Sequence, residues 1–117
     1  MHEMGIALEI IDIVKASIPP DTPDARVVRI NLQIGRLSAI VTESLRFCLE
    51  IAAKDTPLAD AEVAIEEVPV VAQCKDCRHR WTITGPAFSC EKCQSGSIEL
   101  LSGRELDIRS IEIAEEE

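Results

Sequence analysis

Four cysteines in two closely spaced pairs carry the strongest chemical signal in this 117-residue sequence. Cys74 and Cys77 form the first Cys-x-x-Cys pair, and after twelve intervening residues Cys90 and Cys93 form the second. Each pair can place two thiolates on one side of a tight turn, and two facing turns create a tetrahedral site of four sulfurs. That geometry favours Zn(II) first and an iron or iron–sulfur centre second. Redox or disulfide pairs are the alternative use of the same spacing.

A metal site with four protein ligands has no open position for a substrate, so structural zinc is expected here rather than zinc catalysis. Turns of this kind usually carry glycine after the second cysteine, whereas Arg78 and Gln94 occupy those positions in this sequence. His79 follows Cys77 by two residues and could act as an auxiliary ligand, although an exposed loop histidine is the simpler interpretation. No nucleophile paired with a base is visible in the sequence, so we do not predict an enzyme.

The N-terminus offers a second set of metal ligands. A free Met1 amine, the amide nitrogen of His2 and its imidazole can close adjacent chelate rings around one ion. The amide nitrogen of Glu3 would complete four nitrogens in a plane. Square-planar nitrogen sites suit Ni(II) and Cu(II). The first N–H groups of a helix have no intrahelical partner, so giving them to a metal costs the helix little.

Charge and composition restrict the partners. The formal net charge is −9, which argues against nucleic acid because phosphate binding requires clustered Lys and Arg. Apolar runs are too short to span a bilayer, and the Met-His-Glu start is not typical of a secretory signal. Five cysteines in such a chain indicate a reducing compartment where thiols bind metal. We therefore expect a cytoplasmic protein that binds neither nucleic acid nor membranes.

Two helices are predicted from apolar residues that recur every three or four positions. The first covers residues 3–18 and is stopped by Pro19 and Pro20, which cannot continue a helix. The second covers residues 43–54, with Thr42 as its N-cap. Cys48 lies on the inner stripe of the second helix, so a buried and unreactive thiol is expected there.

Three strands are predicted over residues 26–35, 62–68 and 104–113. In the first, alternation indicates that the inward residues are Val28, Ile30, Leu32 and Ile34. In the last, Leu106 and Ile108 have one parity whereas Ile111 and Ile113 have the other. Because a regular strand would send these two pairs to opposite faces, we predict a β-bulge near Arg109-Ser110.

The order of these elements predicts an α+β fold in which two helices pack on a small mixed sheet of about three strands. A zinc ribbon with four cysteine ligands would be inserted before the final strand, which would return to pair in that sheet. The predicted domains are residues 1–69 plus 99–117 and the ribbon of residues 70–98. Trp81 and Phe88 are expected to form the small core of the ribbon.

The chain resembles the HypA/HybF family of hydrogenase nickel-maturation metallochaperones. The resemblance rests on Met1-His2-Glu3-Met4, on the two cysteine pairs, and on Ile34-Gly35 followed by Glu43-Ser44-Leu45 and Phe47. It covers essentially the whole chain. It implies that His2 is the essential ligand of a transient Ni(II) cargo, that Glu3 supports this site, and that the four cysteines hold a structural Zn(II).

The same resemblance implies partners and a task. The cargo would be delivered to the large subunit of [NiFe]-hydrogenase, together with a partner GTPase, and in some organisms to urease. The alternative is an adaptor whose fold is stabilised by zinc and which binds another protein without delivering nickel. Nickel stoichiometry distinguishes the two hypotheses, because the adaptor would bind nickel only at background level.

Overall fold

A computed structural model describes residues 2–22 and 24–115, which contain two α-helices and six β-strands. The helices are α1 (Glu3–Ser17) and α2 (Thr42–Ala52); the strands are β1 (Ala25–Gly35), β2 (Glu62–Val68), β3 (Val70–Cys74), β4 (Arg80–Ile83), β5 (Ile98–Ser102) and β6 (Leu106–Glu115). The molecule is elongated, with a radius of gyration of 18.2 Å and extents of 61 × 25 × 17 Å. A compact domain of 100 residues would have a radius of about 13 Å. The elongation reflects two separate three-stranded sheets.

β1 is the central strand of the first sheet, whose order is β2-β1-β6. It pairs in parallel with β2, with α2 as the crossover, and antiparallel with β6 at the other edge. Side chains from both helices and from the inward face of β1 form one apolar core. The predicted α+β class, two helices on a small mixed sheet with a final strand that returns to it, is confirmed.

Helix α1 presents a continuous apolar stripe to this core through Ala7, Ile10, Ile11 and Val14, all buried. Helix α2 contributes Leu45 and Leu49. Full burial of an aliphatic side chain stabilises the fold by about 1.5–3 kcal/mol, so these stripes fix both helices on the sheet. Thr42 is the first residue of α2, and its N-cap is Val41 without a side-chain bond, so the capping role predicted for Thr42 is wrong. Within the described ranges, neither helix is long and apolar enough to cross a membrane.

The pairing of β1 with β6 contains two irregularities. Asn31 pairs with Ser110 and Leu32 with Ile108, so Arg109 is left out of the strand register and the predicted bulge is confirmed. The bulge lets Ile108 and Ile111 pack against the same core despite their opposite parity. A second shift omits Val28, which is exposed, whereas Val27 is buried. The inward orientation predicted for Val28 is therefore wrong, because the bulge moves the start of the inward pattern by one residue.

The second sheet has the order β4-β3-β5 and both of its pairs are antiparallel. β5 pairs with β3 over residues 98–102, which the sequence pattern did not predict as a strand. The division of the chain into domains at residues 70 and 98 stays a prediction. Trp81 is half-buried, but Phe88 is exposed, so the core role predicted for Phe88 is wrong.

The two sheets meet where β1 ends at Gly35. The N–H of Gly35 donates to the Glu105 carbonyl at 2.7 Å, and the N–H of Arg36 donates to the Val68 carbonyl at 3.0 Å. The N–H of Leu37 donates to the Gly103 carbonyl at 2.8 Å. Both connections between the sheets are thus bonded to the end of β1. A Cβ at Gly35 would overlap the carbonyl group of Gly103, so only glycine allows this approach.

We predict that Gly35→Ala lowers the free energy of unfolding by about 2 kcal/mol or more, because the added methyl meets backbone that cannot move alone. Gly5→Ala is the matched control. A Cβ at Gly5 meets nothing within 4 Å, and alanine in a helix is favoured by about 0.5–1 kcal/mol over glycine. Urea unfolding of the metal-loaded variants followed by circular dichroism measures both changes. Equal midpoints for the two variants would contradict the role assigned to Gly35.

Candidate metal centre

The structure brings the four predicted cysteines together at one end of the second sheet. Cys74 is the last residue of β3, and all four Sγ atoms lie within 4.8 Å of one another. Short separations join the two pairs: Cys74 Sγ lies 3.5 Å from Cys93 Sγ, and Cys77 Sγ lies 3.6 Å from Cys90 Sγ. Sulfurs around a tetrahedral zinc ion lie about 3.8 Å apart, given Zn–S bonds of about 2.3 Å. The donor set therefore fits a metal ion such as zinc.

Both cysteine turns have the same backbone construction. The N–H of Arg78 donates to the Cys74 carbonyl at 3.0 Å, and the N–H of Gln94 donates to the Cys90 carbonyl at 2.8 Å. Arg78 and Gln94 have φ angles of 68° and 62°, the left-handed conformation for which glycine is usual. The departure from glycine at these positions therefore leaves the turn geometry intact, at a conformational cost of about 1–2 kcal/mol per residue.

The surroundings of two of the four thiols, Cys74 and Cys90, lower their pKa values. The N–H of Cys77 donates to Cys74 Sγ at 3.4 Å and lowers the pKa of Cys74. Burial opposes the thiolate of Cys90, but the N–H groups of Cys93 and Lys92 donate to its sulfur and lower the pKa of Cys90 to about 7. These N–H groups take the place of water around buried sulfur.

The other two thiols resist ionisation. The N–H of Ser95 favours the Cys93 thiolate, but the neighbouring Cys74 thiol and burial raise the pKa of Cys93 to about 12. The N–H of His79 favours the Cys77 thiolate, but burial and the adjacent thiols raise the pKa of Cys77 above its usual value. Four thiolates cannot share this space without a cation, whereas a divalent ion would stabilise all of them.

Polar contacts around the cluster join the two cysteine turns to each other. The Ser95 hydroxyl donates to the Asp76 carboxylate, and His79 Nε2 lies 2.9 Å from Glu91 Oε1. The His79 ring stacks on Trp81, with centroids 5.8 Å apart. Sequence reasoning missed Asp76, Glu91 and Ser95. The only sequence feature that could have indicated them is their position: Asp76 and Glu91 lie inside the Cys-x-x-Cys pairs, and Ser95 follows Cys93 by two residues.

The remaining candidates lie outside the sulfur cluster. His79 pairs with Glu91, and its role as an auxiliary ligand stays a prediction. Cys48 packs against the core of the first sheet from the inner stripe of α2 but is only half-buried, so the burial predicted for it is wrong in degree, and its lack of reactivity stays a prediction.

The N-terminal candidates lie at the start of α1, in the helical layer of the first sheet. His2 is the N-cap, is exposed, and makes no side-chain capping bond. Glu3 is half-buried, and its Oε1 accepts a hydrogen bond from the Ser44 hydroxyl of α2 at 3.5 Å. Met1 lies outside the described residues. The imidazole of His2 is thus accessible to a ligand beside the first turns of both helices.

Comparison with known proteins places the whole chain in one family. A family model described as "Hydrogenase/urease nickel incorporation, metallochaperone, hypA" matches residues 1–113. The chain belongs to the HypA family. The family resemblance inferred from the N-terminus and the cysteine quartet is confirmed, and with it the association with hydrogenase maturation.

Named HypA relatives match over nearly their full length. The hydrogenase maturation factor HypA of Desulfosudis oleivorans is 56% identical over 115 residues, covering 98% of this chain and 100% of the relative. That of Desulfatibacillum aliphaticivorans is 57% identical over 117 residues, covering 100% of this chain and 90% of the relative. The solution structure of the Ni metallochaperone HypA from Helicobacter pylori is similar in fold, with a TM-score of 0.67 at 24% identity over 99% of this chain and all of that one.

We predict that metal binding to the cysteine cluster releases protons and weakens as the pH falls. Cys77 and Cys93 have raised pKa values, so they are protonated at pH 7 and must ionise to bind. Cys90, with a pKa of about 7, adds part of a third proton at pH 7 and most of one at pH 6, so the Kd rises at least about 100-fold per pH unit of acidification. Zinc calorimetry on chelator-stripped protein, in two buffers of different ionisation enthalpy at pH 6 and pH 8, measures the proton count.

Cys48→Ala is the control for this titration, because Cys48 lies on α2 and packs against the core of the first sheet, so its loss should leave the proton count unchanged. A zinc affinity equal at both pH values would contradict the ionisation states assigned to Cys77 and Cys93.

Proposed function

We propose that this protein is a cytoplasmic nickel metallochaperone that binds Ni(II) at its N-terminus and delivers it to the large subunit of [NiFe]-hydrogenase. Membership of the HypA family over residues 1–113 carries the proposal. The exposed position of His2 at the start of α1 supports it, because a cargo ion must be reachable by both its donor and its acceptor. Catalysis of a reaction is not part of this function.

The proposed nickel ligands are nitrogen atoms of the first three residues. The Met1 amine, the amide and imidazole nitrogens of His2 and the amide nitrogen of Glu3 would provide the planar set that Ni(II) prefers. His2 and Glu3 lie at the helix start, where backbone N–H groups have no intrahelical acceptor. The Glu3 carboxylate would oppose the positive charge that the ion brings to this end of the helix dipole.

The four cysteines are proposed to hold a structural zinc ion. Cys74 and Cys90 are buried, and all four thiols face one another, so a bound ion would have no open position. When bound, the ion supplies the positive charge that the four thiolates require. The chain supplies the N–H donors to Cys74 and Cys90 and the contacts of Asp76 and Glu91 across the two turns.

Delivery is proposed to proceed by exchange of ligands at the exposed terminus. An acceptor that offers its own side chains can bind the ion while His2 is still bound, so the ion need not pass through water. A nickel-maturation GTPase and the hydrogenase large subunit are the proposed partners, and urease maturation is a second destination for the same cargo. His79 is proposed as an auxiliary ligand only if it can leave Glu91.

We predict that His2→Ala lowers the nickel affinity of zinc-loaded, untagged protein at least about tenfold, the effect of losing about 1.4 kcal/mol of binding free energy. Isothermal calorimetry with Ni(II), and the absorption band of planar nickel, measure the loss. Asp12→Ala is the control, because it removes an exposed side chain from the same helix that is not a proposed ligand, and it should change nickel affinity less than about twofold.

A two-residue extension before Met1 tests the amine separately, since it displaces the terminal nitrogen and leaves His2 present. It should weaken nickel binding nearly as much as His2→Ala. Zinc content and the unfolding midpoint should be the same in all variants. Unchanged nickel affinity in His2→Ala protein would refute the proposed site, and absence of nickel stoichiometry in the parent protein would favour the adaptor alternative.

A further inference from the structure

β6 is an edge strand of the first sheet, and its outer edge is open. The N–H of Gly35 donates to the Glu105 carbonyl, so backbone groups of β6 that face β1 alternate with groups that face away from it. The groups that face away belong to Leu106, Ile108, Ile111 and Ile113. We call the N–H and C=O groups of these four residues the free edge. Within residues 2–22 and 24–115, the free edge has no hydrogen-bond partner.

The opposite edge of the same sheet, on β2, is guarded by a side chain. The N–H of Arg36 donates to the Val68 carbonyl, so alternate residues of β2 face β1, and Val63 faces away from it. The guanidinium of Arg46 in α2 donates to the outward carbonyl of Val63. A long cationic side chain that occupies an edge carbonyl opposes the pairing of another strand there. The two edges of the sheet therefore differ, and β6 is the one that can accept a strand.

An apolar groove lies beside the free edge, on the helix side of the sheet. Its volume is about 240 Å³, and it is enclosed by Ile6, Ile10 and Ile13 of α1 and by Leu106 and Ile108 of β6. Ile13 and Leu106 are 48% and 43% exposed, so the groove opens to solvent. Residues that lie opposite each other in an antiparallel pair send their side chains to the same face. A strand added to β6 would therefore direct alternate side chains into this groove.

We propose that β6 binds an extended segment of a partner protein as an additional antiparallel strand. The backbone of the segment would pair with the free edge, and aliphatic side chains at alternate positions would fill the groove. A partner helix does not fit these observations, because its backbone groups bond to one another and would leave the free edge unpaired. The antiparallel direction is the commoner pairing of strands.

A second copy of this chain is a poorer occupant than a partner segment. When two β6 strands pair antiparallel with all outward groups matched, Asp107 lies opposite the copy's Glu112 at both ends of the contact, and Arg109 lies opposite Ser110. Arg29 lies 3.5 Å from Glu112 but is shared with a carboxylate of β2. Like charges directly opposite each other destabilise a strand pair. A partner segment with neutral or basic residues at those two positions avoids this repulsion.

Designed peptides test the strand pairing. The probe has about eight residues, an ordinary strand length, in which valine and threonine alternate. Two modified versions have N-methyl groups on every valine or on every threonine, so any general effect of methylation is the same in both. In antiparallel addition the valines that enter the groove also supply the N–H groups that bond to β6. Fluorescence anisotropy with zinc-loaded protein should show that the threonine-methylated peptide binds at least about tenfold tighter than the valine-methylated one.

Two variants on one helix test the groove. Ile13→Ser removes a groove residue that is 48% exposed, and it should weaken binding of the unmodified peptide at least about fivefold because an apolar contact is lost. Leu8→Ser is the matched control. It removes a residue of α1 that is 50% exposed and does not line the groove, so it should change binding less than about twofold. Circular dichroism establishes that both variants are folded.

Amide hydrogen exchange locates the added strand. A saturating concentration of the unmodified peptide should slow exchange of the outward N–H of Ile108 at least about tenfold, because this group gains a partner. The N–H of Asp107 faces β1, so its exchange should change less than about twofold. Slower exchange confined to residues outside β6 would place the peptide elsewhere and contradict the proposal.

Equal binding of the two methylated peptides, or equal effects of Ile13→Ser and Leu8→Ser, would overturn the proposal. So would failure of the unmodified peptide to bind at about 1 mM. A dimer of the protein alone in sedimentation velocity, with slow exchange at Ile108 in the absence of peptide, would assign the free edge to a second copy instead. This inference goes beyond the proposed function and does not depend on it: His2→Ala protein should bind the peptide as the parent does, whatever happens to its nickel affinity.

Discussion

The close approach of two backbone segments at Gly35 and Gly103 is the constraint on which the rest of the structure depends. β1 ends there, and both segments that connect the sheets bond to it: the one entering the second sheet at Val68 and the one returning at Gly103 and Glu105. Gly103 has a φ angle of +115° and lies against Val70, so a side chain would be excluded there as well. Because both connections are fixed at one point, an elongated molecule of two small sheets keeps a defined relation between them.

The second sheet has little apolar interior, and its order depends on the cysteine turns. Among the described residues, its buried apolar side chains besides the cysteines are Val70 and Ala72. Polar links from Asp76 to Ser95 and from His79 to Glu91 join the turns, but exposed hydrogen bonds and ion pairs contribute about 1 kcal/mol or less each. A structural metal contributes about 10 kcal/mol or more in comparable small sites. The proposed metal would thus supply a large part of the folding free energy of this half of the molecule.

Local patterns predicted the elements that alternate or repeat clearly. The bulge at Arg109 followed from the opposite parity of Ile108 and Ile111, since one core cannot accept both without an extra residue. The bulge at Val28 could not be predicted, because Val27 and Val28 are both apolar and either could begin the inward pattern. β5 was missed because Leu100 and Leu101 are adjacent and interrupt alternation. The cysteine quartet is visible from spacing alone, whereas Asp76 and Ser95 meet only once the two turns face each other.

The two candidate metal sites differ in burial, and this difference suits them to different tasks. An ion bound by the four mutually facing sulfurs would stabilise the second sheet, so its release would cost much of the order in residues 70–102. An ion held that way is a poor cargo. His2 is exposed at the start of α1, outside the core that Ala7, Ile10 and Ile11 of the same helix help to form. Binding and release of an ion at His2 would not require the buried packing to change, so only the ligand bonds would be exchanged. This difference supports the proposal that a transferable ion binds at His2 and a permanent one between the cysteine turns.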